Sequence, residues 1–211
     1  MNRCDRQRFL ITTITASLVM GAAAASAADG NDPDWPCEQA LVPEISAAVV
    51  WDGPSVDGLS DQWQSDMQVA ALTKRLTGRD TDPNEFEPSI EAFAKAQPVS
   101  NRDARLTLLF VGVLSILNAD RRMLNDGILR YSRDQERRAR ILDGHLSEMV
   151  ELESDQSPGG AKRLVELQDV VQIEQRIFDD REKTIPFLCT RPRVIEERIG
   201  ELARTISAQL E

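Results

Sequence analysis

One helical stretch, from Ser100 to Leu152, places the strongest constraint on the fold of this chain. It opens on a nearly uninterrupted apolar run, Leu106 to Leu117, which is too short to cross a bilayer. We therefore predict that this run is the buried centre of the fold. Beyond it, apolar residues recur at helical steps, although polar residues share the same seam. The apolar positions are Leu124, Ile128, Tyr131, Leu142, Met149 and Leu152, and the polar ones are Arg121, Gln135, Arg138 and His145.

The flanking segments repeat the helical spacing and predict an all-α, antiparallel helical bundle over residues 61–211. The additional helices are expected at 61–77, 89–96, 161–184 and from Pro192 onward. Short links between long amphipathic helices are typical of antiparallel neighbours. Two polar sites, Asn118 to Asp120 and Asp126-Gly127, are candidate breaks in the long helix.

The first 27 residues have the three parts of a secretory signal peptide. Three arginines precede an almost uncharged apolar run, Phe9 to Ala25, and Ala25-Ser26-Ala27 supplies small residues where a signal peptidase reads them. We predict cleavage between Ala27 and Ala28 and a periplasmic protein. A retained membrane anchor is the alternative, because the apolar run approaches the length of a short membrane span.

The charge of the chain argues against two classes of partner. The net charge is −10, and without the leader's three arginines and Asp5 the remaining 22 basic and 34 acidic side chains give −12. Such a surface repels phosphate backbones and anionic lipids. We expect no nucleic-acid partner and, after cleavage, no membrane partner. Another envelope protein is the expected partner.

Removal of the leader also removes Cys4 and leaves two cysteines, Cys37 and Cys189. An even pair in an exported protein predicts a disulfide, and two unrelated thiols are the alternative. The bond would connect residues 28–60 to a point near the end of the chain. Four prolines interrupt residues 28–60, which predicts an extended segment lying on the bundle. Its apolar residues 47–51 predict a short strand or a buried stretch.

Two groups of side chains are candidate partner-binding surfaces. The first is aromatic, because all three tryptophans, Trp35, Trp51 and Trp63, lie close together in the sequence. We interpret them as anchors of the extended segment, with an aromatic docking surface as the alternative. The second is an arginine-rich stretch, interpreted either as a set of intramolecular ion pairs or as a docking patch for an acidic partner. Its residues are Arg130, Arg133, Arg137, Arg138 and Arg140, so the candidate partner-binding residues are Trp35, Trp51, Arg130, Arg133 and Arg137.

No residue pattern predicts catalysis, a cofactor or a metal. His145 is the only histidine, and it lies in the middle of a helix without a nucleophile turn nearby, so a structural role is favoured. The chain has no phosphate loop, dinucleotide fingerprint or haem-attachment motif. Acidic side chains crowd residues 148–155 and 179–182. They lack the alternating ligands of a calcium loop, which favours solvated helix faces over a calcium site.

The predicted mature N-terminus resembles the start of certain proteobacterial exported proteins of unknown function. The resemblance rests on Asp34-Trp35-Pro36-Cys37, followed by Val42-Pro43 and Trp51. It covers a short part of the chain, supports export and implies no activity.

Together these observations favour a non-enzymatic periplasmic interaction or accessory protein that works through helix faces. A small-ligand-binding helical protein with a pocket between helices is the alternative. An enzyme ranks behind both, because nothing in the sequence places two catalytic side chains at a cleft.

Overall fold

The computed structural model describes residues 32–211, and there the predicted all-α architecture is confirmed. Two one-turn 3-10 helices, Trp63–Ser65 and Pro83–Glu85, precede the second and third α-helices. Residues 32–211 contain no β-strand, and the predicted signal peptide lies outside them. The α-helices are α1 (Ala47–Val50), α2 (Met67–Thr77), α3 (Phe86–Lys95), α4 (Val99–Glu153), α5 (Pro158–Glu182) and α6 (Ile185–Ser207).

The hydrophobic core lies where α2, α3 and α6 pack around the N-terminal half of α4. Leu106, Leu109 and Phe110 of α4 are fully buried, which confirms the predicted buried centre. Gly112 allows α2 to approach closely, because a Cβ atom there would lie 2.7 Å from Thr73 Oγ1. The buried partners on the other helices include Val69, Leu76, Ile90, Ile199, Leu202 and Ile206.

The helix α4 runs without interruption for 55 residues, so neither candidate break interrupts it. Its asparagines instead bind the extended segment. Asn118 Oδ1 accepts from the backbone N–H of Ile45 at 2.9 Å, and Asn118 Nδ2 donates to the carbonyl of Ile45 at 3.0 Å. Asn125 Nδ2 donates to the carbonyl of Val42 at 3.2 Å. These side-chain amides pair with backbone groups of the segment while the helix keeps its own hydrogen bonds.

Two boundaries near the start of the bundle differ from the prediction. The second helix begins at Met67 rather than at residue 61, because the carboxylate of Asp66 accepts from the backbone N–H groups of Gln68 and Val69 and so caps the helix. Residues 47–50, predicted as a strand or a buried stretch, form the single turn of α1 instead. Their N-cap is Ser46, whose hydroxyl accepts from the backbone of Ala48.

The last helix begins at Ile185, so the predicted start at Pro192 is wrong and that proline lies inside α6. A short turn after Glu182 leads almost directly from α5 into α6. Pro186 occupies the first turn of α6, where its missing N–H group needs no helical partner. None of the helices within residues 32–211 combines the length and the apolar character needed to cross a membrane.

Candidate docking surfaces and an interhelical groove

Cys37 and Cys189 lie at disulfide distance, with their Sγ atoms 2.04 Å apart. The predicted pairing is therefore present in the structure. Gln39 supports it, because its Nε2 donates to the carbonyl of Cys189 at 2.5 Å and its own carbonyl accepts from the indole of Trp35 at 2.7 Å. The start of the extended segment is thus held on the N-terminal turns of α6.

The tryptophans pack against the fold. The ring of Trp51 stacks on Phe110, with centroids 4.1 Å apart, and its indole donates to the carbonyl of Pro54 at 2.8 Å. Trp51 was expected to be buried, yet it is half-buried. Trp35 is half-buried as well, whereas Trp63 belongs to the core. All three side chains thus contribute to holding the N-terminal part of the chain.

The arginine-rich stretch lies on α4, where Arg130 is exposed. The other four guanidinium groups, those of Arg133, Arg137, Arg138 and Arg140, form intramolecular ion pairs. Arg133 hydrogen-bonds Asp34, which raises the pKa of Arg133. Arg137 pairs with Asp134, and Arg138 Nε donates to the same carboxylate at 3.1 Å, which lowers the pKa of Asp134. The side chains of Arg133 and Arg137 are still 52% and 61% exposed. Exposed pairs contribute little to stability, so these cations stay accessible to a partner.

Beyond the core, α4 and α5 form a two-helix arm, here defined as residues 134–181. One edge of the arm is marked by two ion pairs. Arg181 lies 2.8 Å from Asp134, and Arg163 lies 2.7 Å from Glu148. Ile141 is seven residues, or about two helical turns, from each of these carboxylates. It therefore lies on the same edge, level with the middle of α5.

Seven large apolar side chains of the arm are exposed. Those on the edge with the two ion pairs, called the first edge, are Ile141, Val170, Ile173 and Ile177, and they are 39–59% exposed. Those on the opposite, or second, edge are Leu146, Val150 and Val165, and they are 44–66% exposed. The interior of the arm is sparse, because its fully buried positions are Gln135, Gly160, Leu167 and Val171.

His145 lies in this sparse interior, where its Nδ1 is 2.8 Å from Glu174 Oε2. It links α4 to α5, and its hydrogen-bonding partner within residues 32–211 is this carboxylate. The two acidic groups considered as calcium ligands lie near opposite ends of the arm. Within residues 32–211, no set of three or more acidic, cysteine or histidine side chains is arranged to hold a metal ion.

A groove of about 470 Å³ lies between the end of α2, the middle of α4 and the N-terminal half of α6. Its floor is apolar, while three arginines and one aspartate supply its charges. The apolar lining residues are Leu117, Leu124, Phe187, Val194 and Ile195, and the charged ones are Arg79, Arg191, Arg198 and Asp120. Phe187 and Val194 are 74% and 60% exposed. The groove is therefore a positively charged, partly apolar site on an acidic protein.

Arg198 shapes this groove by binding the end of α2. One terminal nitrogen donates to the carbonyls of Leu76 and Gly78 at 2.5 and 2.8 Å, and the guanidinium lies over the ring of Phe86. Burial lowers the pKa of Arg198, because the charged form is desolvated. Local sequence patterns do not single out Arg79, Arg191 and Arg198 as a group, because Arg79 lies far before the other two in the chain and meets them only through tertiary packing.

The fold and these surfaces define an all-α protein with a disulfide-linked helical core, a projecting two-helix arm and a basic interhelical groove. No protein-family model, curated protein or solved structure matches the chain. Its candidate sites therefore rest on their own geometry and chemistry.

Proposed function

We propose that the protein is exported to the periplasm and acts there as a non-enzymatic interaction protein, with the arm as its binding element. The observation that carries this proposal is the row of exposed apolar side chains on each edge of the arm. From Asp134 to Glu153, α4 extends about 30 Å at 1.5 Å per residue. Over this length, the side-chain hydrogen bonds that α4 makes to another helix are to α5.

Energetics favour a binding role for such an element. Single exposed apolar residues are ordinary on protein surfaces, but two helices packed on each other alone bury little apolar area. A further helix placed along an edge would cover the exposed valines and isoleucines and remove apolar surface from water. The arm is thus better suited to completing an assembly than to stabilising the core.

Export is supported by the predicted signal peptide and by the close pairing of Cys37 with Cys189. Disulfides persist in oxidising compartments such as the periplasm. The expected partner is another envelope protein that offers an apolar helix with basic residues beside it, because the arm's second edge belongs to an acidic chain.

Site-specific photo-cross-linking in the producing cell tests this proposal. A photoreactive residue is placed at Val150 or Val165 on the second edge, and at Met67 as the matched control, since Met67 is an exposed apolar residue of the core, 86% accessible. We expect the arm positions to give one recurrent adduct with another envelope protein, and the control to give none. Absence of an adduct from both arm positions, or the same adduct from Met67, would contradict the proposal.

The groove supports a second candidate function, the binding of a small ligand with an apolar body and an anionic group. Its excess of arginines over aspartate favours a carboxylate or a similar anion. Titration calorimetry with dodecanoate, compared with uncharged dodecanol, tests this function. Binding of dodecanoate that is lost in Arg191→Glu would support it. Equal binding by wild type and variant, or no binding at all, would exclude it.

A further inference from the structure

An exposed stripe of α4 changes the sign of its charge at its midpoint. Its members follow one another at steps of three and four residues, which places them on one face of the helix. Six of the seven are exposed and Glu148 is half-exposed. The members of this charge stripe are Arg130, Arg133, Arg137, Ile141, Gly144, Glu148 and Glu151.

The charge stripe is complementary to a reversed copy of itself. Its midpoint falls between Leu142 and Asp143, with cations before it, anions after it and two uncharged residues beside it. A two-fold axis at this point brings each half against the opposite half of a second chain. The resulting pairs are Arg137 with Glu148, Ile141 with Gly144 and Arg133 with Glu151. We propose that two copies of this protein associate antiparallel through the first edges of their arms.

Gly144 supports a closely approaching helix. A Cβ atom added there would meet nothing within 4 Å among residues 32–211, so no contact in this part of the chain requires a glycine. Glycine in the middle of a helix destabilises it relative to alanine. A second copy explains why position 144 is a glycine. The pairing places Ile141 of that copy over Gly144, where a side chain would hold the two helices apart.

The other helix of the arm extends the apolar centre of this interface. Val170, Ile173 and Ile177 lie on the first edge of α5, near the level of Ile141. In the antiparallel pair, both arms together form a four-helix arrangement with apolar residues at the axis and charges on either side. The contact is about 30 Å long and two helices wide, which is at the low end of specific interfaces. The dimer is therefore weak and sensitive to salt.

Three charges of the stripe, on Arg133, Arg137 and Glu148, already have partners within the chain, and these partners do not prevent the association. Arg163 lowers the pKa of Glu148 by hydrogen bonding, Asp134 pairs with Arg137, and Asp34 pairs with Arg133. All of these pairs lie at the surface, so they exchange readily with pairs to a second copy. A guanidinium has five donors, which allows it to bridge two carboxylates at once.

Charge reversal gives a specific test by sedimentation equilibrium of the purified protein. We expect a dimer at about 50 mM NaCl and mostly monomer at about 500 mM, because the Debye length falls from about 14 to about 4 Å. The first variant combines Arg133→Glu with Arg137→Glu, and the second combines Glu148→Arg with Glu151→Arg. The dimer dissociation constant of each variant alone should be at least about 30-fold higher than that of wild type. An equimolar mixture of the two variants should dimerise with a dissociation constant within about threefold of the wild-type value.

The choice of variants distinguishes the loss of specific ion pairs from a general effect of net charge. The first variant becomes more acidic and the second less acidic, yet both should lose the dimer. The control variant combines Asp61→Arg with Asp143→Arg, which changes the net charge as the second variant does but away from the stripe, and it should remain dimeric. A monomeric wild type at low salt, a dimer in either reversal variant alone, a mixture that stays monomeric, or loss of the dimer in the control would overturn the proposal.

A second measurement does not depend on the folding of the reversed variants. Ile141→Cys should be linked to itself by a short bismaleimide in the oxidised protein, whereas Leu146→Cys, on the second edge, should not. Equal cross-linking at both positions would contradict the antiparallel pairing. The proposed dimer rests on the proposed function only in that both use the arm as a binding element. An adduct from Val150 to a different protein would keep that function if self-association failed, because Val150 lies on the second edge.

Discussion

Arg121 of α4, whose side chain is only 2% exposed, donates from Nε to Glu196 Oε1 of α6 at 3.1 Å. One terminal nitrogen of Arg121 is buried and has no hydrogen-bond partner in residues 32–211. A buried charge is tolerated when its partner is present and is strongly destabilising when the partner is removed. This pair therefore makes the packing of α6 on α4 depend on one carboxylate.

Removal of the Glu196 carboxylate alone should destabilise the fold more than removal of both charges of the pair. We expect Glu196→Leu to lower the free energy of unfolding by about 3 kcal/mol, because Arg121 is left buried without a counter-charge. The double variant with Arg121→Met should recover most of this loss. Urea unfolding at neutral pH measures both values. Equal destabilisation in the single and the double variant would show that the ion pair is not what stabilises this contact.

The N-cap of α2 predicts a pH dependence. Arg105 hydrogen-bonds both carboxylate oxygens of Asp66, and this contact lowers the pKa of Asp66, with backbone N–H groups acting in the same direction. A lowered folded-state pKa stabilises the fold above the unfolded value, 3.8, and the contribution is lost as pH falls through the folded value. Asp66→Asn keeps a capping side chain but loses the charge, so we expect about 1 kcal/mol of destabilisation at pH 7.

Unfolding of the Asp66→Asn variant and of wild type at pH 7, 5 and 3 measures this effect. The difference should stay constant between pH 7 and 5 and shrink toward pH 3. Asp61→Asn, which changes an exposed aspartate nearby, serves as the control and should match wild type. A difference that is independent of pH would assign the effect to capping alone.

The link between Cys37 and Cys189 closes a loop of 152 positions. In the chain-entropy description, such a loop stabilises the folded state by about 4–5 kcal/mol, less any strain. We expect the variant with both Cys37→Ser and Cys189→Ser to melt well below wild type, and reduced wild type to match it. An unchanged melting temperature after complete reduction would refute this role.

Two glycines of α4 should respond in opposite directions to alanine. Gly144→Ala should stabilise the monomer by about 0.5–1 kcal/mol, because the site is open and alanine favours a helix. Gly112→Ala should destabilise it, since the new Cβ would lie 2.7 Å from Thr73 Oγ1 and 3.0 Å from the ring of Trp63. Thermal unfolding at high salt, where the chain is monomeric, compares the two. A stabilising Gly112→Ala would contradict the close packing of α2 on α4.

The fold class could be predicted from the sequence because apolar spacing reports directly on helix faces. The run from Leu106 to Leu117 is buried as expected, and the even cysteine count led to the correct pairing. Candidate helix breaks and starts inferred from single residues are not found where contacts with another segment of the chain determine the local structure. Asn118 was a candidate break in the long helix, but its side chain is the binding partner of Ile45. Pro192 was expected at a helix start, yet the turn after α5 starts α6 earlier.

The candidate surfaces were only partly predictable, for the same reason. The arginine-rich stretch was found because its members are close in the sequence, and so was the acidic cluster that follows it. Their placement on one exposed stripe required an unbroken α4, which the sequence left open. The groove was missed altogether, because Arg79 and Arg198 are brought together only by tertiary packing.

Intact-mass analysis of the periplasmic fraction is the most direct test that this is an exported protein joined across its core by Cys37 and Cys189. We predict a chain that starts at or near Ala28 and is two hydrogens lighter than its fully reduced form. Alkylation of the denatured, unreduced protein should add no label, and after reduction it should label both cysteines. A product in the cytoplasmic or membrane fraction that keeps residues 1–27 and has both thiols free would contradict export and the disulfide together.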